Sequence, residues 1–188
     1  MKRNMAVKRL VLNAVLIALY VSLGMIKIPI GNILRINPAS FAVVVCAVMF
    51  SPVDGLIVGF LGEFLSQILG PYGLTPTTLL WVLPEAVRGG LLGLWMLAFR
   101  KNGLPAPQLL KSWKQVIYLA GSIIIGIIAS AVNTFALYVD SKMFGYYNEY
   151  MVFGVLVVRL SIAAVMACLF GYVALQIVSI LRKSNLGV

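Results

Sequence analysis

The chain has 188 residues, 62% of them hydrophobic and 11% charged, and 15 Lys+Arg against 5 Asp+Glu give a net charge of +10. Soluble domains carry roughly 45–50% apolar and about 25% charged residues, so this composition excludes an ordinary cytosolic enzyme, a disordered tail and a nucleic-acid-binding domain. The absence of His removes Ser–His and Cys–His nucleophiles and most zinc sites; Cys46 and Cys168 stand alone in apolar runs and read as small hydrophobes.

Apolar runs near the 20-residue length that crosses a bilayer recur along the chain. They predict an all-α membrane protein, a compact bundle of six transmembrane helices forming one domain over residues 1–188. A basic stretch, 1–9, precedes the first span at 10–28, which is too long for a signal-peptide core and has no small-residue cleavage site after it. The second span, 36–50, is stopped by Ser51 and Pro52, because proline cannot continue a helix without losing a hydrogen bond. The third covers 53–69 and ends at Gly70 and Pro71; the fourth covers 78–99. A polar loop, 100–114, leads to the fifth span at 115–139, and the sixth runs over 151–181, longer than a bilayer needs.

With six spans, Lys2, Arg3, Lys8, Arg9, Arg100, Lys101, Lys111, Lys114, Arg182 and Lys183 share one side, against Lys27, Arg35 and Lys142 on the other. Positive charge marks the cytoplasmic side, so both termini are expected inside.

Glu63, Glu85, Arg88 and Arg159 fall within spans, where a charge costs at least about 2.5–3.5 kcal/mol unless it pairs or lines a wet cavity. Trp81, Glu85 and Arg88 share one helix face, as do Glu63 and Gln67. Asn133 and Tyr138 lie toward the outer end of span five, and Arg159 about two turns into span six. The polar residues of spans three to six gather at the midplane or beyond it, while the inner halves hold mainly Ser122, Cys168 and Gln176. A pore needs polar lining on both sides; this pattern predicts a cup, open outward and sealed below, for a small polar solute. Its wall is Glu63, Gln67, Trp81, Glu85, Arg88, Asn133, Tyr138 and Arg159, with Arg35 and Tyr72 at the mouth. The plainer alternative is that the four ions pair among themselves, Glu85 with Arg88 above all, and that Tyr72, Tyr146, Tyr147 and Tyr150 form an interfacial aromatic belt.

On span one, Ala14, Ala18 and Ser22 follow one another at helical-turn spacing, a small-residue face that permits close helix approach. Gly55, Gly59 and Gly62 on span three read as packing within the bundle.

Six short spans with both ends inside, the alanine pair Ala14 and Ala18, and the outward cup resemble the S components of energy-coupling factor (ECF) vitamin transporters. Two looser motifs add to the likeness: the segment 34–38 (LRINP) entering span two, and the segment 50–55 (FSPVDG), similar to an FGP-x-x-G turn with Ser51 where Gly is usual. The resemblance implies a subunit that binds a vitamin or its precursor and topples in the membrane to release it. It implies docking through Ala14, Ala18 and the adjoining Ser22 on a transmembrane coupling subunit attached to two ATPase subunits. The chain carries no G-x-x-x-x-G-K-[ST], so ATP hydrolysis is expected in those partners and the chain itself is not expected to be an enzyme. The expected partners are thus a small-molecule vitamin, the coupling module and the lipid bilayer, with no nucleic acid, no cofactor and no metal.

The in-span arginines and Arg35 favour an acid-bearing vitamin, pantothenate or folate, because a guanidinium grips a carboxylate with two parallel hydrogen bonds. Glu63 and Glu85 favour instead a pyridoxine or hydroxymethylpyrimidine type. The chain does not resemble the familiar riboflavin, thiamine or biotin S components. A membrane-structural or assembly protein is the reading from another class. The Gly- and Pro-containing loops 29–38 and 70–77 are candidate lids.

Overall fold

The computed structural model describes residues 2–26, 28–30, 34–71, 73–101 and 113–183. Among the described residues six α-helices follow in chain order: α1 Lys2–Gly24, α2 Ser40–Met49, α3 Pro52–Ile68, α4 Thr78–Lys101, α5 Lys114–Met143 and α6 Leu156–Lys183. Between α1 and α2 lies a hairpin of two three-residue strands, β1 Ile28–Ile30 and β2 Leu34–Ile36, with Ile28 opposite Ile36 and Ile30 opposite Leu34. A π-helical turn, Tyr150–Gly154, leads into α6. Most of the polar loop 100–114 lies outside the described residues, as do Lys27 and Tyr72.

Two features depart from a bundle of six long spans. Among the described residues, four stretches are long and apolar enough to cross a membrane: Val7–Gly24, Thr78–Phe99, Lys114–Met143 and Tyr150–Leu181; the second and third expected spans are not among them, α3 having 17 residues. The second expected span contracts to the 10-residue α2, about 15 Å long at 1.5 Å per residue. Its apolar side chains face protein instead: Ser40 and every residue from 42 to 49 are buried, enclosed by α1, α3, α4 and α6. The other departure is the segment entering α2, which forms the hairpin; β-branched Ile recurs there at strand spacing.

Packing contacts fix the helix directions. Arg9 reaches Asp54, and Tyr20 packs on Gly62, so α1 and α3 run parallel. α2 returns between them, with Cys46 against Asn13. α3 and α4 cross antiparallel with their backbones nearly touching: a Cβ at Gly55 would sit 2.5 Å from the Gly89 carbonyl oxygen, and one at Gly59 2.3 Å from that of Glu85. α5 runs antiparallel to α4, where Trp81 meets Asp140, and to α6, where Gly126 meets Ala163 and Ala167. The start of α1 and the end of α6 therefore emerge at the same end of the bundle. Tyr20, Val43, Val58, Leu92, Met96 and Leu175 form the centre of the core.

Ser51 starts α3 by accepting from the Asp54 amide at 3.3 Å, with Pro52 in the first turn. Its own hydroxyl donates to Asp54 at 2.6 Å, so the turn between α2 and α3 is built around that carboxylate.

Candidate functional site

A cavity of about 220 Å³ opens where the six described helices converge. α1 contributes Tyr20, α2 Ser40, α3 Glu63, and α4 Trp81, Glu85 and Arg88; α5 contributes Ser130 and Asn133, and α6 Arg159 and Phe170. Glu63, Trp81, Glu85, Arg88, Asn133 and Arg159 are thus brought together as the sequence predicts. Gln67 lines an adjoining chamber of about 700 Å³ with Ser66, Thr75, Asp140 and Tyr146. Asn37, Glu63 and Trp81 line both spaces.

Three expected residues stand differently. Tyr138 lines neither chamber: its ring meets Tyr147 edge-on at 5.7 Å and Phe153 at 6.0 Å. Arg35 sits on β2, in register with Pro29. Tyr72 lies outside the described residues.

The carboxylates are oriented by neutral donors. Glu63 accepts from the Tyr20 hydroxyl and from Gln67 Nε2, each at 2.6 Å. Glu85 Oε1 accepts from Ser40 Oγ at 2.8 Å and lies 3.6 Å from Arg88 Nη2. The local pairing anticipated for Glu85 and Arg88 is therefore present, but it is incomplete: Glu85 Oε2 and Arg88 Nε are buried with no hydrogen-bond partner. Arg159 donates to the Met151 carbonyl at 3.1 Å and to Thr134 Oγ1 at 3.4 Å, and among the described residues it forms no salt bridge. Met151 belongs to the π-helical turn, a feature common at functional sites.

Sequence reasoning missed Tyr20, Asn37, Ser40 and Asp140. The first three are ordinary residue types near apolar runs and carry no signal of their own. Asp140 falls one residue past the expected end of span five, yet it is buried in the last turn of α5. It accepts from Thr77 Oγ1, from Trp81 Nε1 at 3.3 Å, and from the Tyr146 hydroxyl. Tyr146 therefore does more than sit in an interfacial belt.

The opposite end of α3 corrects a further expectation. Asp54 is buried there, paired with Arg9 and accepting from Asn13 Nδ2 at 2.8 Å. The inner half is not sparse in polar groups: Arg9 is tied to α3 as well as marking the basic side. On α1, Ala14, Ala18 and Ser22 all face outward, flanked by exposed Val11, Val15 and Leu19. No cluster of three His, Cys, Asp or Glu able to hold a metal occurs among the described residues.

Residues 4–183 match the family described as "ECF-type riboflavin transporter, S component". The chain belongs to this family of S components. The match overturns the expectation that the chain stands apart from the riboflavin group. The S component shares its fold with the crystal structure of a biotin S component from an ECF-type ABC transporter: TM-score 0.62, 18% identity, 97% of this chain and 95% of that one. A UPF0397 protein of Vibrio atlanticus is 29% identical over 126 residues, 64% of this chain and 67% of the relative. One from Aliivibrio fischeri is 30% identical over 94 residues, 49% and 50% of the two chains. The S component thus spans between half and two thirds of the length of these curated relatives. Its family consists of membrane-embedded, substrate-binding subunits of vitamin transporters and not of enzymes.

Proposed function

We propose that this S component is the high-affinity binding subunit of an ECF-type importer for a compact, acid-bearing, water-soluble vitamin. The Asp140 end faces the exterior and both termini lie in the cytoplasm, in keeping with the basic residues at that end. One observation carries the substrate reading: among the described residues Arg159 is held by neutral groups alone, in the same cavity as Glu85 and Arg88, whose Oε2 and Nε lack partners. A buried polar group left unsatisfied costs about 1–3 kcal/mol, and a bound solute relieves that cost. A carboxylate on Arg159, and a hydroxyl or amide N–H donated to Glu85, suits pantothenate. Folate has the same acid chemistry but needs the adjoining chamber too, since 220 Å³ is below the roughly 300–1,000 Å³ of most ligand pockets.

A second reading is riboflavin, the vitamin in the family's description. The aromatic lining of Tyr20, Trp81 and Phe170 and the larger outer chamber favour it. A pyridoxine or hydroxymethylpyrimidine type could donate to Glu85 Oε2 but is less well served, because it brings no carboxylate to Arg159.

Docking on the transmembrane coupling subunit, which carries two ATPase subunits, is assigned to the exposed Ala14 and Ala18 face of α1. The test is equilibrium binding of pantothenate, folate, riboflavin and pyridoxine to the purified chain in lipid nanodiscs, with mass spectrometry of co-purified small molecules. Binding of an acid-bearing vitamin supports the reading. Binding of riboflavin alone overturns the substrate assignment, and binding of no vitamin overturns the function.

A further inference from the structure

Asp140 is 8% exposed, and its three donors come from three places in the chain. Thr77 lies in the turn before α4, Trp81 in the first turns of α4, and Tyr146 in the connection after α5. Thr77 is itself 1% exposed and belongs to a hydroxyl cluster in which Thr75 Oγ1 lies 3.1 Å from Thr77 Oγ1 and 3.2 Å from Thr78 Oγ1. The nearby cation on the same helix, Lys142, is placed over the Tyr147 ring at 3.8 Å.

The Trp81 indole N–H can only donate, whereas the Thr77 and Tyr146 hydroxyls can also accept. A carboxylate is acceptor-only, with room for about four bonds, so it takes all three without any hydroxyl having to turn its hydrogen away. The Trp81 indole lines both chambers, together with Glu63 and Asn37. Whatever fixes that ring fixes one of three residues shared by the two spaces.

We infer that Asp140 is a positioning residue for solute entry and release: by accepting from Thr77, Trp81 and Tyr146 together, it holds the Trp81 indole as the partition between the inner and outer chambers. The inference rests on the binding reading for its effect on a solute, but the latch itself is measurable without one.

The experiment compares wild type, Asp140→Asn and Thr77→Val, each as the full chain in lipid nanodiscs. Hydrogen–deuterium exchange is followed over residues 73–82, and release of bound pantothenate is followed by stopped-flow dilution. Asp140→Asn is expected to raise exchange over 73–82 and to speed pantothenate release, each about tenfold, the change that follows from losing one hydrogen bond to a charged group. Thr77→Val, which removes one donor and keeps the carboxylate, is expected to fall between the two and serves if the Asn variant does not fold. Unchanged exchange in both variants overturns the latch. Faster exchange with unchanged release overturns the role in solute passage, as does a lowered melting temperature with neither rate moved. If wild type binds no pantothenate, the vitamin assignment fails and the exchange measurement alone decides the latch.

Discussion

Gly89→Ala and Gly90→Ala test the α3–α4 crossing with two adjacent positions of one helix. A Cβ at Gly89 would lie 2.0 Å from the Gly55 carbonyl oxygen, 2.4 Å from its carbon and 2.9 Å from Val43 Cγ1. Ordinary contact begins at 3.4 Å, so α4 must retreat by about 1.4 Å (3.4 − 2.0 from the same distances). Backbone cannot swing aside as a side chain can, and overpacking of this kind costs about 1–3 kcal/mol. A Cβ at Gly90 would meet Leu56 at 3.7 and 3.8 Å, ordinary contact, and removing a mid-helix glycine gains about 0.5–1 kcal/mol. At about 2–4 °C per kcal/mol for a chain of this size, Gly89→Ala is expected to melt about 5 °C below wild type and Gly90→Ala about 2 °C above it. The assay is thermal unfolding in one detergent, with pantothenate binding measured on the same samples. The Gly89 variant should also bind more weakly, because Arg88 and Glu85 move with α4. Equal melting temperatures for the two variants, or Gly89→Ala at or above wild type, would refute the backbone-to-backbone crossing.

Three further outcomes follow from the site and its surroundings. Arg159→Gln removes the cation held by neutral partners and is expected to weaken binding of an acid-bearing vitamin at least about 100-fold, with a melting temperature near that of wild type; calorimetry and melting curves on one preparation separate the two. Ala18→Leu on the outward face of α1 is expected to leave vitamin affinity unchanged and to reduce co-purification with the coupling module several-fold, read by pull-down with and without vitamin. Asp54→Asn weakens the tie to Arg9 and Asn13 and is expected to cost about 1–3 kcal/mol, seen as a lower melting temperature with the cavity's selectivity among vitamins intact.

Much of the cavity was legible because a charge inside an apolar run announces itself. The spacing of Trp81, Glu85 and Arg88 gave their shared face, and the helix preserved it. Tyr138 misled for a geometric reason: it follows Asn133 by five residues, about 500° of turn, and so points some 140° away from it, into the cluster with Tyr147 and Phe153. The shortness of α2 was hidden because hydropathy reports that side chains avoid water, not whether lipid or protein shelters them. The hairpin escaped notice because strands of three residues are too brief for an alternating pattern to stand out. Tyr20 and Ser40 became visible only when tertiary packing set them against Glu63 and Glu85.

The two ends of α2 terminate on different polar clusters. At one, Ser40 bonds Glu85 in the cavity; just past the other, Ser51 bonds Asp54 beside Arg9. The helix acts as a spacer, and its 10 residues hold the cavity at a set height above the basic end. One inserted turn would raise that height by about 5.4 Å, so how deep a ligand rests is a matter of helix length, while which ligand rests there is a matter of side chains.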